Sequence, residues 1–179
     1  NSLFPDTPYG VESGGDPNVI PELSYSEFLE FHKRYYHPVN SYIYLYGNMD
    51  MEERLNWMDE HYLSKYDETV IDSAIPKQKA FDTVKELIME YPVSENEPEE
   101  ENSYLSYNIV AGNSIDVEQN TAFDILDYTL LSAPGAPLKQ ALLDAGMGKD
   151  IMGSYEDGIY QPFFSIVAKN ADPKKKDEF

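Results

Sequence analysis

The sequence predicts an α+β fold in which mostly antiparallel strands pack against helices. Two observations carry that expectation. Segments with helical apolar spacing and short apolar runs follow one another in the order helix, strand, helix, linker, strand, strand, helix, helix, strand, strand. Near the C-terminal end, Asp157-Gly158 is a strong hairpin signal between two of those runs.

The first 22 residues are rich in turn formers and predict irregular structure. A helix then opens at "LSYSEFLEFHKRYY". Ser24 and Glu27 have capping-box spacing, and Leu23 with Phe28 suits a hydrophobic staple. Phe28, Phe31 and Tyr35 recur at helical spacing and are expected to face a core. Pro38 disfavours helical geometry at His37, so the helix should end there. The run Tyr42, Ile43, Tyr44, Leu45, Tyr46, closed by Gly47, predicts a strand. Asp50 and Glu53 suggest a second capping box, opening a helix that runs to Tyr66 with Leu55, Met58, Tyr62 and Tyr66 near one stripe. Residues 68–79 lack period, contain Pro76 and read as a linker.

Beyond the linker, "FDTVKELIMEYPV" suits a long strand through Val84 and Ile88, broken by "SENEPEEEN". "SYLSYNIVAG" predicts another strand. Asp116 and Gln119 could cap a helix over 117–131, with Phe123, Leu126 and Leu130 as its stripe and "SAPGAP" as its stop. Pro137 suits the first turn of a following helix; Leu138, Ala141, Leu142 and Ala145 give its face and Gly146 its end. Two strands flank Asp157-Gly158, and Pro162 argues that the second is an edge strand or carries a bulge.

Composition narrows the function. The chain has 179 residues, enough for one large domain or two incomplete ones. A hydrophobic fraction of 41% with 15 Tyr and 8 Phe supports a packed core rather than disorder. The formal net charge of −20 repels nucleic acid and anionic lipid, so both are discounted as partners. It favours cationic peptides, metal ions or basic protein surfaces, beside the plainer reading that the charge serves solubility alone. There is no cysteine, which excludes disulfides and thiolate metal sites. No apolar run approaches a membrane span, and no signal-peptide pattern opens the chain. Both ends read as cut from something longer.

Few residues suggest chemistry. His32 and His37 stand five apart, roughly 140° round a helix, so they do not share a face as a helical zinc pair must. A surface His32 and a helix-ending His37 are expected. His61 has Glu60 beside it but no second histidine within reach along its helix. Glu97, Glu99, Glu100 and Glu101 offer the oxygen ligands that calcium takes, yet they lack the spacing and glycine of a calcium loop and read as solvated. Ser13-Gly14-Gly15-Asp16-Pro17 does not match a phosphate loop and reads as a structured turn. No serine has a histidine at triad-motif spacing. The residues therefore assign no catalytic, cofactor-binding or metal-ligating position to this chain.

The stretch "YGVESGGDPNVIPELSYSEFLEFHKRYYHPVNSYIYLYGN" resembles a segment of the pitrilysin/insulinase zinc metallopeptidases, most closely their presequence-protease branch. There a Gly-Gly-Asp-Pro turn precedes a helix ending in Tyr-His-Pro, then a strand ending in Gly-Asn. "LLSAPGAPLKQALLDAGMGKDI" is similar to a later stretch of the same branch, and the resemblance runs from Leu3 to about Asn170.

The resemblance implies a zinc-dependent endopeptidase that degrades unfolded peptides in a closed chamber built from four similar α+β units. The family's metal motif, His-x-x-Glu-His, is absent here and by family order lies upstream of Asn1. Zinc is thus implied for the parent protein, with no ligand in this chain. Residues 1–67 would close one peptidase-like unit, 68–79 would link, and 80–179 would open the next. The implied partners are the parent's other units and its peptide substrates; the implied compartment is a bacterial cytoplasm or an organelle matrix. Competing readings are a segment of a catalytically inactive homologue acting as scaffold or partner subunit, and a free-standing acidic binding module. Each half-unit would lack partner strands, so the chain is expected to self-associate through its open edges.

Overall fold

In a computed structural model, residues 1–96 and 100–179 are described. They fall into two compact units, one made of Asn1–Val11 with Pro76–Phe179 and the other of Glu12–Ile75.

The larger unit is built on three antiparallel strands, β1 (Ser103–Val110), β2 (Asp150–Glu156) and β3 (Phe163–Ala171), in the order β1-β3-β2. Among the described residues its α-helices are α3 (Val117–Asp127) and α4 (Pro137–Asp144); α1 (Tyr25–Tyr35) and α2 (Met51–His61) belong to the smaller unit. The architecture is α+β, as the element order predicts. The registers explain the core. Leu105 and Ile151 both pair with Ala168, so one row crosses all three strands on the buried face. Ile151 and Ala168 are completely buried, and Leu105, Leu131, Met147, Phe164 and Ala171 complete the cluster. Phe123, Leu130, Leu138 and Leu142 pack onto it from the helical segments. These are largely the stripe residues that helical spacing selects.

Local signals set the boundaries of these helices. The Asp116 carboxylate caps α3 by accepting from the Gln119 amide at 3.0 Å. The helix then widens into a π turn over Tyr128–Ser132, with the Ala133 amide donating five residues back to Tyr128. Pro137 opens α4, and Gly146 ends it with φ +64°. The amides of Gly146 and Met147 donate to the carbonyls of Leu143 and Leu142.

The hairpin at Asp157-Gly158 forms, but its loop takes six residues, 157–162. Pro162 corrects the edge-strand expectation: it is fully buried and precedes β3, which is the central strand. Its missing N–H falls just ahead of the ladder, and its carbonyl accepts from the Ala111 amide at 2.8 Å.

In the smaller unit, α1 (Tyr25–Tyr35) starts at the capping box read from the sequence. Ser24 Oγ accepts from the Glu27 amide, and Glu27 Oε2 accepts from the Ser24 amide at 2.9 Å. Helix α2 (Met51–His61) is capped by Asp50, which accepts from the Glu53 amide at 3.0 Å. Glu53 turns to Arg54 at 3.3 Å, and α2 stops five residues short of Tyr66, giving way to a 3₁₀ turn at Leu63–Lys65.

Three expectations fail in physical terms. Phe28 and Phe31 do not face a core but stand 55% and 60% exposed. No residue from 12 to 75 is buried, so the unit has no interior for them. The strand foreseen at 42–46 and the one at 81–93 are not regular strands. A strand needs a neighbour for its main-chain ladder, and neither segment finds one. Tyr42, Tyr44, Val84 and Ile88 are largely exposed as a result.

Candidate functional site

The three histidines sit in separate local settings. His32 lies on α1 with its ring stacked on Tyr36 at 4.4 Å. His61 ends α2, stacks on Trp57 at 4.7 Å and bonds through Nδ1 to the Trp57 carbonyl at 2.9 Å. His37 follows α1 and caps a 3₁₀ turn at Pro38–Asn40. Its Nδ1 accepts from the Val39 amide at 3.3 Å, and its ring meets the Tyr66 edge at 5.0 Å. An accepting Nδ1 places the proton of the neutral ring on Nε2.

Among the described residues, no three His, Asp or Glu side chains come together so as to hold a metal. Zinc does not fit the donors present, and no chemical step can be drawn through it here. Glu97 and Glu99 lie outside the described residues. Their neighbour Glu101 pairs with Lys149 at 3.0 Å. The Ser13–Pro17 stretch forms a turn: Gly15 has φ +81°, and Asp16 Oδ1 accepts from the Asn18 amide at 2.8 Å. That geometry requires glycine at position 15, because a side chain there would strain the backbone.

What the smaller unit does offer is an aromatic cleft of about 400 Å³. Phe31, Tyr35, Tyr36, His37 and Tyr62 line it. Asn40 frames it, donating from Nδ2 to the Tyr35 carbonyl at 3.0 Å. Its apolar walls suit packing against a side chain. His37 is a group able to take up or give a proton, and Ser41 also lines the cleft, but the Ser41 hydroxyl donates to the Pro38 carbonyl at 2.8 Å rather than to the imidazole.

The larger unit holds the electrostatic features. Tyr155 Oη donates to Asn120 Oδ1 at 2.8 Å and to the Ala111 carbonyl at 3.3 Å. Asn120 Nδ2 in turn donates to the Ser114 carbonyl at 2.9 Å, and the Tyr155 ring stacks on Phe123. Burial pushes the Tyr155 hydroxyl pKa up, and the carboxylates of Asp157, Asp124 and Asp116 add to it. Asp127, at the end of α3, has one carboxylate oxygen buried without a partner. Desolvation raises its pKa, the Ser132 hydroxyl opposes that, and Asp124 adds to it. Asp150 goes the other way, held low first by its bond to Lys139 at 2.9 Å. Sequence reading missed both Asp127 and the Tyr155–Asn120 pair. Polarity on an apolar helix face marks Asn120 and Asp127 as unusual, but nothing in the sequence says which partner each finds.

Comparison with known proteins supplies what the geometry does not. The family described as the Peptidase M16 inactive domain matches residues 22–179. The chain is 47% identical over 178 residues, 99% of its length, to Protein HypA of Clostridium perfringens. It is 36% identical over 172 residues, 94% of its length, to Presequence protease 1, chloroplastic/mitochondrial, of Arabidopsis thaliana. It is 31% identical over 169 residues, 93% of its length, to the mitochondrial Presequence protease of Mus musculus. It spans 18%, 16% and 16% of these three relatives. No described helix is long and apolar enough to cross a membrane. Shared inactive-domain sequence along most of its length, on an α+β scaffold, makes this chain a member of the peptidase M16 (pitrilysin/insulinase) family.

Proposed function

We propose that this chain is a non-catalytic structural segment of a zinc-dependent metalloendopeptidase that degrades unfolded peptides in a closed chamber. Residues 1–67 close one peptidase-like unit, 68–79 link, and 80–179 open the next. Zinc and its ligands belong to the rest of the parent chain, whose other units are this segment's partners. The compartment is a bacterial cytoplasm or an organelle matrix, in keeping with relatives from a Clostridium and from mitochondria and chloroplasts.

The observation that supports this reading most is the smaller unit. It buries none of its residues, yet presents Phe28, Phe31, Tyr42, Tyr44 and Trp57 to the outside. Isolated exposed apolar residues are ordinary, but an aromatic-rich unit with no interior is suited to being covered by another part of a larger protein. The run at 42–46 has strand-forming chemistry but forms no strand in this chain, so a neighbour's edge could supply the ladder that it lacks.

The test is the zinc content of the purified chain, measured beside its cleavage of an unstructured basic peptide. The expected result is no stoichiometric zinc and no chelator-sensitive cleavage, with both present in the full-length parent. Zinc at one equivalent with chelator-sensitive cleavage by the chain alone would overturn the proposal. A full-length parent without His-x-x-Glu-His and without cleavage would replace it with the scaffold reading.

A further inference from the structure

We propose that residues 1–11 form a strap, latched by the side chain of Gln78, that can open while the sheet of the larger unit stays folded. Phe4 and Asp6 tie the strap to the rest of the unit. Phe4 is 4% exposed and meets the rings of Tyr9 and Phe163 at 6.0 and 6.1 Å. Asp6 meets Gln78, which is 8% exposed.

The latch imitates strand pairing. The Asp6 amide donates to Gln78 Oε1 at 2.9 Å, and Gln78 Nε2 donates back to Asp6 Oδ2 at 2.7 Å. The second proton of Nε2 goes to the Lys79 carbonyl at 3.3 Å. Gln161, in the β2–β3 loop, repeats the arrangement one step outward. Its Oε1 accepts from the Gln78 amide at 2.6 Å, and its Nε2 donates to the Gln78 carbonyl at 3.2 Å. A primary amide carries the same donor and acceptor as a peptide group, so each glutamine stands in for a strand residue. Gly10 lets the strap fold back, because a Cβ there would lie 2.8 Å from the carbonyl oxygens of Phe4 and Pro5.

The chain leaves this unit after Val11 and returns at Pro76. The outgoing crossing is held by the strap and the returning one by the residue that latches it. Gln78 therefore ties a residue of the chain before the 12–75 segment to the chain after it. The strap's anchors include the Phe4 ring and this amide cluster, which are side-chain contacts rather than a main-chain ladder, whereas the sheet has continuous ladders on both sides of β3. An element so held opens below the threshold for global unfolding.

Hydrogen exchange by NMR on the whole chain tests this. In the unmodified protein the amides of Asp6 and Gln78 should be protected, although both donate to side chains. Gln78→Leu should speed exchange at Asp6, Thr7 and Gly10 by about tenfold or more, the scale of one buried hydrogen bond left unmade. The β3 amides of Val167 and Ala168 should not change. Asp6→Asn retains an acceptor for Gln78 and should keep the strap protected. Gln161→Leu removes only the outer pairing, so it should speed Gln78 and spare Asp6, and it serves if Gln78→Leu does not fold. Free-chain exchange at Asp6 in the unmodified protein, or an unmoved strap in Gln78→Leu, would overturn the proposal. So would strap and sheet amides accelerating together in either leucine variant.

Discussion

At the scale of single residues, the larger unit depends on a few polar groups taken out of water. Asn120 is 7% exposed and has its oxygen satisfied by Tyr155 and its amide by the Ser114 carbonyl. Tyr155→Phe keeps the ring on Phe123 but strands the Asn120 oxygen. The expected loss is about 1–3 kcal/mol, read as a lower urea midpoint by circular dichroism with an unchanged slope. Asp127 poses the opposite case. Its folded pKa is raised by burial, so the folded state resists its ionisation. The folded state therefore holds this proton to higher pH than the unfolded state does. The destabilisation is absent below the unfolded pKa, grows as pH rises through the folded one, and is complete above it. Asp127→Asn removes it. That variant should be more stable than the parent chain at neutral pH, and the gap should close near pH 3. A gap that is flat from pH 3 to 7 would show that Asp127 is not the titrating group.

Between elements, the π turn at Tyr128–Ser132 decides how α3 meets β2. It delivers Leu131, 2% exposed, onto Gly153 of β2. A Cβ at position 153 would overlap the Leu131 side chain and approach Asp127 Oδ1 to 3.0 Å. Gly153→Ala should therefore cost about 1–3 kcal/mol by overpacking, seen as a lower thermal midpoint, and Leu131→Ala introduced with it should recover part of that loss. The same elements show what was legible in the sequence. Cap signals act over three residues, so Ser24, Asp50 and Asp116 mark real helix starts. Strands depend on neighbours, so the same apolar chemistry forms β1 at 103–110, where β3 pairs with it, and no strand at 42–46. Pro162 misleads because a proline just ahead of a central strand looks, in sequence, like one inside it. Gln78 is invisible for a related reason: its partners lie 72 and 83 residues away. The site reads similarly. The sequence places each histidine on its element, but the aromatic cleft around His37 exists only once α1 and the segments after it are folded.

On the scale of the whole molecule, two tendencies oppose each other. The smaller unit presents Phe28, Phe31, Tyr42, Tyr44 and Trp57 without an interior to receive them, which favours association. The chain's net charge of −20 opposes bringing copies together. Salt separates the two, since the Debye length falls from about 30 Å at 0.01 M to about 10 Å at 0.1 M while apolar attraction persists. The isolated chain should therefore sediment near its 20.5 kDa mass at low ionic strength and low concentration, and as larger species when either is raised. Trp57, the one tryptophan, lies within the exposed unit at 53% exposure and reports which surface is used. Its emission should move to shorter wavelength in step with the increase in mass. Growth in mass with unmoved emission would place the contact elsewhere, on the open edges of the three-stranded sheet. A 20.5 kDa species at every salt and protein concentration would mean that the exposed aromatics do not drive association, and would remove the main structural support for a unit that needs the rest of a parent chain.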